Sequence, residues 1–194
     1  MNQMVHTSPA KEKLLERAIG YIQENGLGDL SLRQLAAAIG TSHRMVIYHF
    51  GSFEELLVEI VDRQEADELA YFESLISGPG PDLDRTTLMR KMWRRLCTPD
   101  NSPRERLFFE LYGQALQGRP GTERFLDRVV SRWLDRSVQL LTATGVPRTT
   151  ARAQARLDLA VTRGLLLDLL TTGDRAGTTA ALERYLEATD PAAS

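Results

Sequence analysis

The chain has 194 residues, of which 42% are hydrophobic and 26% are charged, and its formal net charge is −2. This composition is typical of a folded globular protein and excludes a disordered or fibrous chain. No apolar run approaches the length of a membrane span, and nothing near the N-terminus resembles a secretory signal, so we expect a cytoplasmic protein. The single cysteine, Cys97, excludes an internal disulfide.

The charges are distributed unevenly along the chain. Residues 1–50 carry a net charge of +1, residues 51–80 carry −7 and residues 81–194 carry +4. The acidic residues of the middle segment are predicted to form a solvated helix face. Because the N-terminal segment is only weakly basic, any binding of nucleic acid there depends on individually placed residues more than on bulk charge.

The first predicted helix begins at Pro9, with Ser8 as its N-cap, and ends at Asn25 and Gly26. Five apolar residues at helical spacing form one stripe along it: Leu14, Leu15, Ala18, Ile19 and Ile22. Such a stripe must pack against other elements, and the next two helices present matching apolar faces. The first three helices are therefore predicted to form a bundle.

The second predicted helix begins at Ser31. Ser31 and Gln34 have the spacing of a capping box, and Leu30 and Leu35 are placed for a hydrophobic staple. Gly40 is predicted to end the helix, because glycine readily adopts the left-handed conformation of a helix C-terminus.

A third helix follows directly after this turn and ends at Phe50. Thr41 or Ser42 can cap it, and the i, i+4 pair of Val46 and Phe50 is predicted to point back at the second helix. The remaining polar side chains of this helix then point outward or lie at its flank: His43, Arg44, Tyr48 and His49. A helix of this kind is suited to enter the major groove of DNA.

Ser52 and Glu55 form a second capping-box pattern, which begins a long helix that ends at the Gly-Pro-Gly-Pro run at 78–81. At 1.5 Å per residue this helix spans about 36 Å and can connect two lobes. A further capping box is predicted at Ser102 and Glu105. Five more helices follow the long one, at 82–96, from Ser102 to Gly118, from Thr122 to Thr144, from Thr149 to Thr171, and from Thr178 or Thr179 to Ala188.

The prediction is thus an all-α protein with nine helices. In the run from Leu35 to Leu57, LA is followed by G, by S, by a helix that ends in F, and then by S, EE and LL. This order resembles the TetR family of transcriptional regulators, and the nine helices resemble the family's fold over essentially the whole chain. The resemblance implies a helix-turn-helix DNA-binding domain at 8–51, a connector helix at 52–77, and a ligand-binding and dimerisation domain at 82–190.

The same resemblance implies which residues face DNA. They are Ser31, Thr41, Ser42, His43, Arg44, Tyr48 and His49. Ser31 and Ser42 would bind phosphates through their hydroxyls and helix N-terminal amides. His43 and Arg44 would contact base edges, and an arginine paired with guanine is the commonest specific contact of this kind.

Three positions depart from the common pattern of the family. Ile47 stands where tyrosine is common, so Tyr48 is turned by about 100° around the helix and either contacts phosphate or packs in the core. Phe53 stands where lysine commonly contacts phosphate, which predicts weaker and less salt-dependent binding to the DNA backbone. Arg44 stands where glycine is often found and adds a charge to the DNA-facing surface.

The resemblance further implies that the last two helices pair with those of a second subunit, which places two recognition helices on a palindromic operator. In agreement, residues 157–170 are apolar nearly all round, a pattern that demands burial on more than one face. A pocket for a small-molecule effector is implied among helices 4 to 8. Its candidate lining residues are Met89, Met92, Trp93, Phe108, Tyr112, Trp133 and Arg163.

Some of these assignments have alternatives. The methionine and tryptophan residues can be plain core. Asp158, Arg163 and Asp168 can belong to the pocket or form ion pairs between subunits. Cys97 is expected to be a small buried hydrophobe, with redox sensing as the alternative.

The residues and the resemblance together predict a DNA-binding regulator, namely a repressor that an effector releases from its operator. An α-helical enzyme is disfavoured, because the chain has no spaced His, Cys and carboxylate set, no phosphate loop and no nucleophile motif; no catalytic residue, cofactor or metal site is predicted. The alternative is a helical dimerisation or adaptor protein with weak or vestigial DNA binding, which Phe53 in place of lysine favours.

Overall fold

The structure is a computed structural model that describes residues 8–77 and 84–189, and all regular elements in these two ranges are helical. The N-terminal part contains α1 (Pro9–Asn25), α2 (Leu32–Ala38), α3 (His43–Phe50) and α4 (Phe53–Ser77). After residue 84 come α5 (Arg85–Leu96), a 3-10 turn (Pro99–Asn101), α6 (Ser102–Leu116), α7 (Glu123–Val129), α8 (Ser131–Ala143), α9 (Arg148–Thr172) and α10 (Arg175–Ala188). None of these helices is long and apolar enough to cross a membrane.

The all-α prediction is confirmed, with one division of a predicted helix. The helix expected from Thr122 to Thr144 is broken at Val130 into α7 and α8. The hydroxyl of Ser131 donates to the carbonyl of Asp127 at 3.0 Å, and such bonds from a side chain to the preceding turn bend helices. If α7 and α8 are counted as one interrupted helix, the described ranges contain the nine predicted helices.

The predicted caps of α2 and α3 are confirmed. The backbone N–H of Gln34 donates to Ser31 Oγ at 3.3 Å, and the N–H of Ser31 donates to Gln34 Oε1 at 2.9 Å, which completes the capping box. Ser42 is the residue that caps α3, because its Oγ accepts the N–H of Met45 at 3.2 Å. Gly40 has a φ of 70°, so the tight turn between the two helices uses a conformation that other residues rarely adopt.

The other predicted caps are confirmed in part, differ from the structure or lie outside the described residues. Helix α1 begins at Pro9 with Ser8 at the N-cap position, as predicted, but the Ser8 side chain makes no capping hydrogen bond. Helix α6 begins at Ser102, as predicted, but Asn101 of the preceding 3-10 turn occupies the N-cap position, so the capping box at Ser102 and Glu105 is wrong. Asp174 caps α10, accepting the N–H of Gly177 at 2.8 Å, so this helix begins earlier than at Thr178. The break at 78–81 and the predicted helix start at 82 lie outside the described residues.

One buried apolar cluster joins the N-terminal helices to the rest of the protein. It contains the predicted stripe of α1 together with Leu35, Val46 and Phe50 of the next two helices. The same cluster continues through α4 into α6 and α7, with these buried members: Leu56, Leu57, Ile60, Val61, Leu107, Leu111, Ala115, Phe125 and Val129. The three-helix bundle therefore shares its core with α6 and α7 and is not attached through α4 alone.

Two smaller clusters complete the core of the described ranges. One is formed around Trp93, Cys97 and Leu166, with Leu182 and Leu186 of α10. The other lies between α8 and α9 and includes Leu134, Val138, Leu141, Ala151 and Ala155. Both hold α9 in place, so α9 is packed against the two helices that flank it in sequence.

The shared core predicts a large cost for shortening a side chain within it. Leu111→Ala should lower the free energy of unfolding by about 3 kcal/mol, because it leaves a cavity where Leu111 is fully buried. Leu116→Ala on the same helix should cost less than about 0.5 kcal/mol, because Leu116 is 66% exposed. Urea unfolding at one fixed protein concentration measures both changes, and equal losses would contradict the shared core.

Candidate nucleic-acid interface and acidic cavity

Helix α3 is anchored on one side and open on the other. Val46 and Phe50 are buried in the shared core, which holds the helix against α2 and α4. The side chains at its start, His43 and Arg44, are exposed, as is Ser42 before them. The exposed start of α3 and the exposed Ser31 at the start of α2 make up a surface that we call the recognition face.

Tyr48 is 78% exposed, which excludes the alternative of core packing. It lies about one helical turn after Arg44 on the same side of α3, so we include it in the recognition face. Its neighbours Met45 and Ile47 are also large exposed apolar side chains, of the kind that contacts thymine methyl groups. Phe53, in contrast, packs partly buried against the shared core. The position where a lysine would supply a cation is therefore taken up by a packing residue.

The structure places the remaining predicted DNA-facing residues at the margin of this face. Thr41 is half-buried in the turn. His49 is half-buried between Tyr48 and Phe50, at ring-centre distances of 5.0 and 6.3 Å, and its Nε2 is buried without a hydrogen-bond partner in the described structure. The His49 side chain thus points more toward the protein than toward solvent.

Arg33 is a candidate that sequence reasoning missed. It is exposed in the first turn of α2, two residues after Ser31, and it makes no hydrogen bond or ion pair with the described residues. A free guanidinium beside the positive end of a helix is suited to bind phosphate. The signal in the sequence was its place two residues after the predicted N-cap Ser31.

A cavity of about 160 Å³ lies between α4, α5, α6, α8 and α9. Five of the seven predicted lining residues contribute to its wall: Met89, Met92, Phe108, Trp133 and Arg163. The wall also contains Phe72, whose ring meets that of Trp133 edge to face at 6.1 Å. The structure therefore brings together aromatic and methionine side chains from four helices.

The other two predicted lining residues lie elsewhere. Trp93 is buried in the cluster with Leu166 and α10, where its Nε1 donates to Thr179 Oγ1 at 3.0 Å. Tyr112 lines a separate groove on the far side of Phe108. The Arg163 guanidinium lies over the rings of both Phe108 and Tyr112, at 5.3 and 5.6 Å, and so separates this groove from the cavity.

The expectation that the acidic face of α4 is solvated is wrong for its middle part. Gln64, Glu65 and Glu68 are each only 7% exposed and line the cavity. Together with Val61 and Phe72 they occupy one helix face at three- and four-residue spacing, which was visible in the sequence. Tertiary packing, and not hydrophobicity, decides that this face is buried, because α5, α6 and α8 cover it.

The two buried glutamates of α4 have different partners. Glu65 Oε1 accepts a hydrogen bond from Trp133 Nε1 at 3.3 Å, and Glu65 Oε2 lies 3.8 Å from Arg132. Burial raises the pKa of Glu65, and the nearby Arg132 and Arg163 oppose that rise. Glu68 Oε2 accepts from Arg95 Nε at 2.8 Å, but its Oε1 is buried without a partner in the described structure.

Glu105 of α6 is a third carboxylate in the same wall. It makes no hydrogen bond or ion pair with any described residue. Burial, with a smaller contribution from the charge of Glu68, raises the pKa of Glu105 from about 4.5 to about 7, against the opposing charges of Arg104 and Arg163. Sequence reasoning placed Glu105 in a capping box and missed this role.

The cavity also contains arginines, and each has a partner. Arg85 pairs with Asp158 at 3.1 Å, and Asp158 Oδ1 accepts the hydroxyl of Tyr185 at 2.7 Å. Asp158 is thus paired within its own chain at the cavity wall, which settles one of the open alternatives, while Asp168 is exposed. Arg104 donates to the carbonyl of Gln64 at 3.3 Å.

Cys97 is buried beside Trp93 and Leu166. Burial raises the pKa of its thiol to about 12, so the reactive thiolate is scarce at neutral pH. The burial and the raised pKa agree with a small buried hydrophobe and argue against redox sensing.

Residues 14–60 match the profile described as bacterial regulatory proteins of the tetR family. Over nearly its full length the chain is similar to the multidrug-binding protein EbrR, solved with imidazole and with ethidium. For the imidazole complex the identity is 25%, the coverage is 94% of each chain and the TM-score is 0.65. For the ethidium complex the identity is 26%, 92% of this chain and 96% of that chain are covered, and the TM-score is 0.67.

Two more distant structures share the fold. One is a TetR transcriptional regulator from Legionella pneumophila, with 19% identity, coverage of 95% of this chain and 99% of that chain, and a TM-score of 0.67. The other is NalD, the secondary repressor of the MexAB-OprM multidrug efflux pump in Pseudomonas aeruginosa, with 19% identity, 92% coverage of each chain and a TM-score of 0.65. No curated protein sequence matches this chain.

The raised pKa of Glu105 predicts a pH-dependent effect of the change Glu105→Gln. Below about pH 4.5 the wild-type carboxyl is protonated in both the folded and the unfolded state, so it carries no ionisation penalty. Between about pH 4.5 and 7 only the unfolded chain releases the proton, so wild type should lose stability relative to the variant by up to about 1.4 kcal/mol per pH unit. Urea unfolding from pH 5 to 8.5 measures this gap, which should stop widening above about pH 7; a gap independent of pH would contradict the assignment.

Proposed function

The chain belongs to the TetR family of bacterial transcriptional regulators, and on this premise we propose that it is a repressor. It binds a palindromic operator as a homodimer through the recognition face. A small molecule that enters the acidic cavity releases it from DNA. The observation that carries the proposal is the capped, exposed start of α3, held in place by Val46 and Phe50 on the opposite side of the helix.

The chemistry of the recognition face supports specific DNA binding. Arg44 is exposed at the second position of α3, where a guanidinium can reach the O6 and N7 atoms of guanine. The N-termini of α2 and α3 present backbone N–H groups that favour phosphate. Arg33 adds a second cation, which compensates in part for Phe53 in place of lysine.

An exposed stripe on α9 supports the homodimer. It has three- and four-residue spacing and consists of small and leucine residues: Ala153, Leu157, Ala160, Gly164 and Leu167. Leu157 and Leu167 are 45% and 51% exposed in the single chain. A seam of this pattern on a 25-residue helix is suited to close packing against the same seam of a second subunit.

The position of the cavity supports release by a ligand. Its wall is formed partly by α4 and α6, and both helices also belong to the core shared with α1 to α3. A ligand that binds one spacing of α4 and α6 better than another therefore shifts the position of the recognition face. EbrR, the relative solved with ethidium and imidazole, supports a small-molecule effector for this chain.

Arg44→Ala tests the base contact. We expect it to weaken binding to a palindrome selected from a random pool by roughly 5- to 150-fold, the equivalent of about 1–3 kcal/mol, and to relax selectivity at one base position. The matched control is Arg124→Ala, which removes the same charge from an exposed position on α7. Fluorescence anisotropy at a fixed salt concentration measures both, and equal losses would mean that only the net charge matters.

Leu157→Glu tests the dimer. Two carboxylates facing each other across the two-fold axis should convert the protein to a monomer that no longer binds the palindrome tightly. Leu126→Glu on α7, where the side chain is also exposed, should leave both properties intact. Light scattering after size exclusion gives the mass, and a Leu157→Glu variant that remains dimeric would place the interface elsewhere.

A further inference from the structure

We propose that the ligand of the acidic cavity is an aromatic organic cation, held by the carboxylates of Glu68 and Glu105 against the rings of Phe108 and Trp133. The inference rests on the proposed function, since it names the chemical class of the effector. It concerns the cavity wall of a single chain, so it does not depend on the dimer.

The cavity contains carboxylate oxygens that the protein itself leaves unpartnered. The side chain of Glu68 is 9% exposed, and its Oε1 has no hydrogen-bond partner in the described structure. Glu105 is half-buried at the cavity wall and makes no hydrogen bond or ion pair with any described residue. A buried carboxylate oxygen such as Oε1 of Glu68 is normally paired, because its desolvation costs free energy. A cationic ligand supplies the missing partner.

The arginines of the wall do not offer the same opening to an anion. Arg85 is neutralised by Asp158, although its Nη1 lacks a partner. Arg104 pairs at 3.4 Å with Asp67, which does not line the cavity. Arg163 donates to the carbonyl of Val129 and lies over two aromatic rings. With Glu105 ionised, the wall contains four carboxylates and three guanidinium groups, so its excess charge is negative.

The apolar part of the wall favours a flat cation. The indole of Trp133 is fixed by Glu65 and by the ring of Phe72, and the faces of such rings attract cations. Met89 and Met92 add flexible, polarisable surface. A volume of about 160 Å³ is close to that of an engineered cavity of roughly 150 Å³ that binds benzene, so one or two fused rings fit.

The proposal makes affinity depend on pH through Glu105. The charged groups around it are Glu65 and Glu68 of α4, with Arg95 of α5 paired to Glu68, Arg104 of its own helix and Arg163 of α9. With its pKa raised to about 7, Glu105 is mostly neutral at pH 6 and mostly ionised at pH 8. A permanent cation should therefore bind about tenfold more tightly at pH 8 than at pH 6, because its apparent affinity is proportional to the fraction of protein molecules in which Glu105 is ionised.

The test uses three probes of similar size: the cation 1-methylquinolinium, its neutral isostere 1-methylnaphthalene and the anion 1-naphthoate. Quenching of tryptophan fluorescence in a Trp93→Phe background, where Trp133 is the remaining tryptophan, and calorimetry measure binding at pH 6 and pH 8. We expect the cation to bind most tightly and to be the probe that gains affinity with pH. Glu105→Gln should weaken the cation at least tenfold at pH 8 and abolish the pH dependence, while affinity for 1-methylnaphthalene changes little.

Glu110→Gln is the matched control, since Glu110 is an exposed residue on the same helix and does not line the cavity. It should leave all three affinities unchanged, and thermal unfolding of both variants verifies that they are folded. Tighter binding of the neutral or anionic probe, an unchanged affinity of Glu105→Gln for the cation, or no binding of any probe at 1 mM overturns the inference.

Binding to the selected palindrome separates this inference from the proposed function. If the cation binds with the expected charge dependence but does not release DNA, the ligand class stands and the proposed effector role fails. If DNA is released only by the neutral or anionic probe, the regulatory role stands and the cation is wrong.

Discussion

Helix α4 has 25 residues and packs in two different environments along its length. The rest of the structure depends on this one helix making both sets of contacts. Its first half buries Leu57 and Ile60 in the core shared with α1 to α3, α6 and α7. Its second half carries Glu65 and Glu68 along the cavity. Since a helix is stiff over this length, the cavity and the recognition face are held in one geometric relation.

In the proposed function, the shared core also determines how ligand binding in the cavity can affect the recognition face. A regulator connected by α4 alone would need that single helix to swing. Here α6 packs on both α1 and α4, so a change in the spacing of α4 and α6 at the cavity reaches the bundle by two routes. A ligand still has to bind the two arrangements with different affinity, because tight binding to both would shift nothing.

The cavity contains groups that folding by itself would not select. An unpaired Glu105 and a half-paired Glu68 cost stability in a low-dielectric wall. Places where a sequence departs from the rules of stable packing are often functional. The recognition face also departs from these rules. Met45, Ile47 and Tyr48 are large apolar or aromatic side chains, and all three remain exposed on α3.

The sequence by itself determined the elements that depend on local chemistry. The capping box at Ser31, the left-handed Gly40 and the buried pair of Val46 and Phe50 are set by neighbours within a few residues, so the helix-turn-helix was predictable. Only the tertiary structure decided that Glu65, Glu68 and Glu105 face one cavity while Trp93 and Tyr112 do not. These residues come from helices far apart in sequence, and no local pattern encodes which faces of such helices meet.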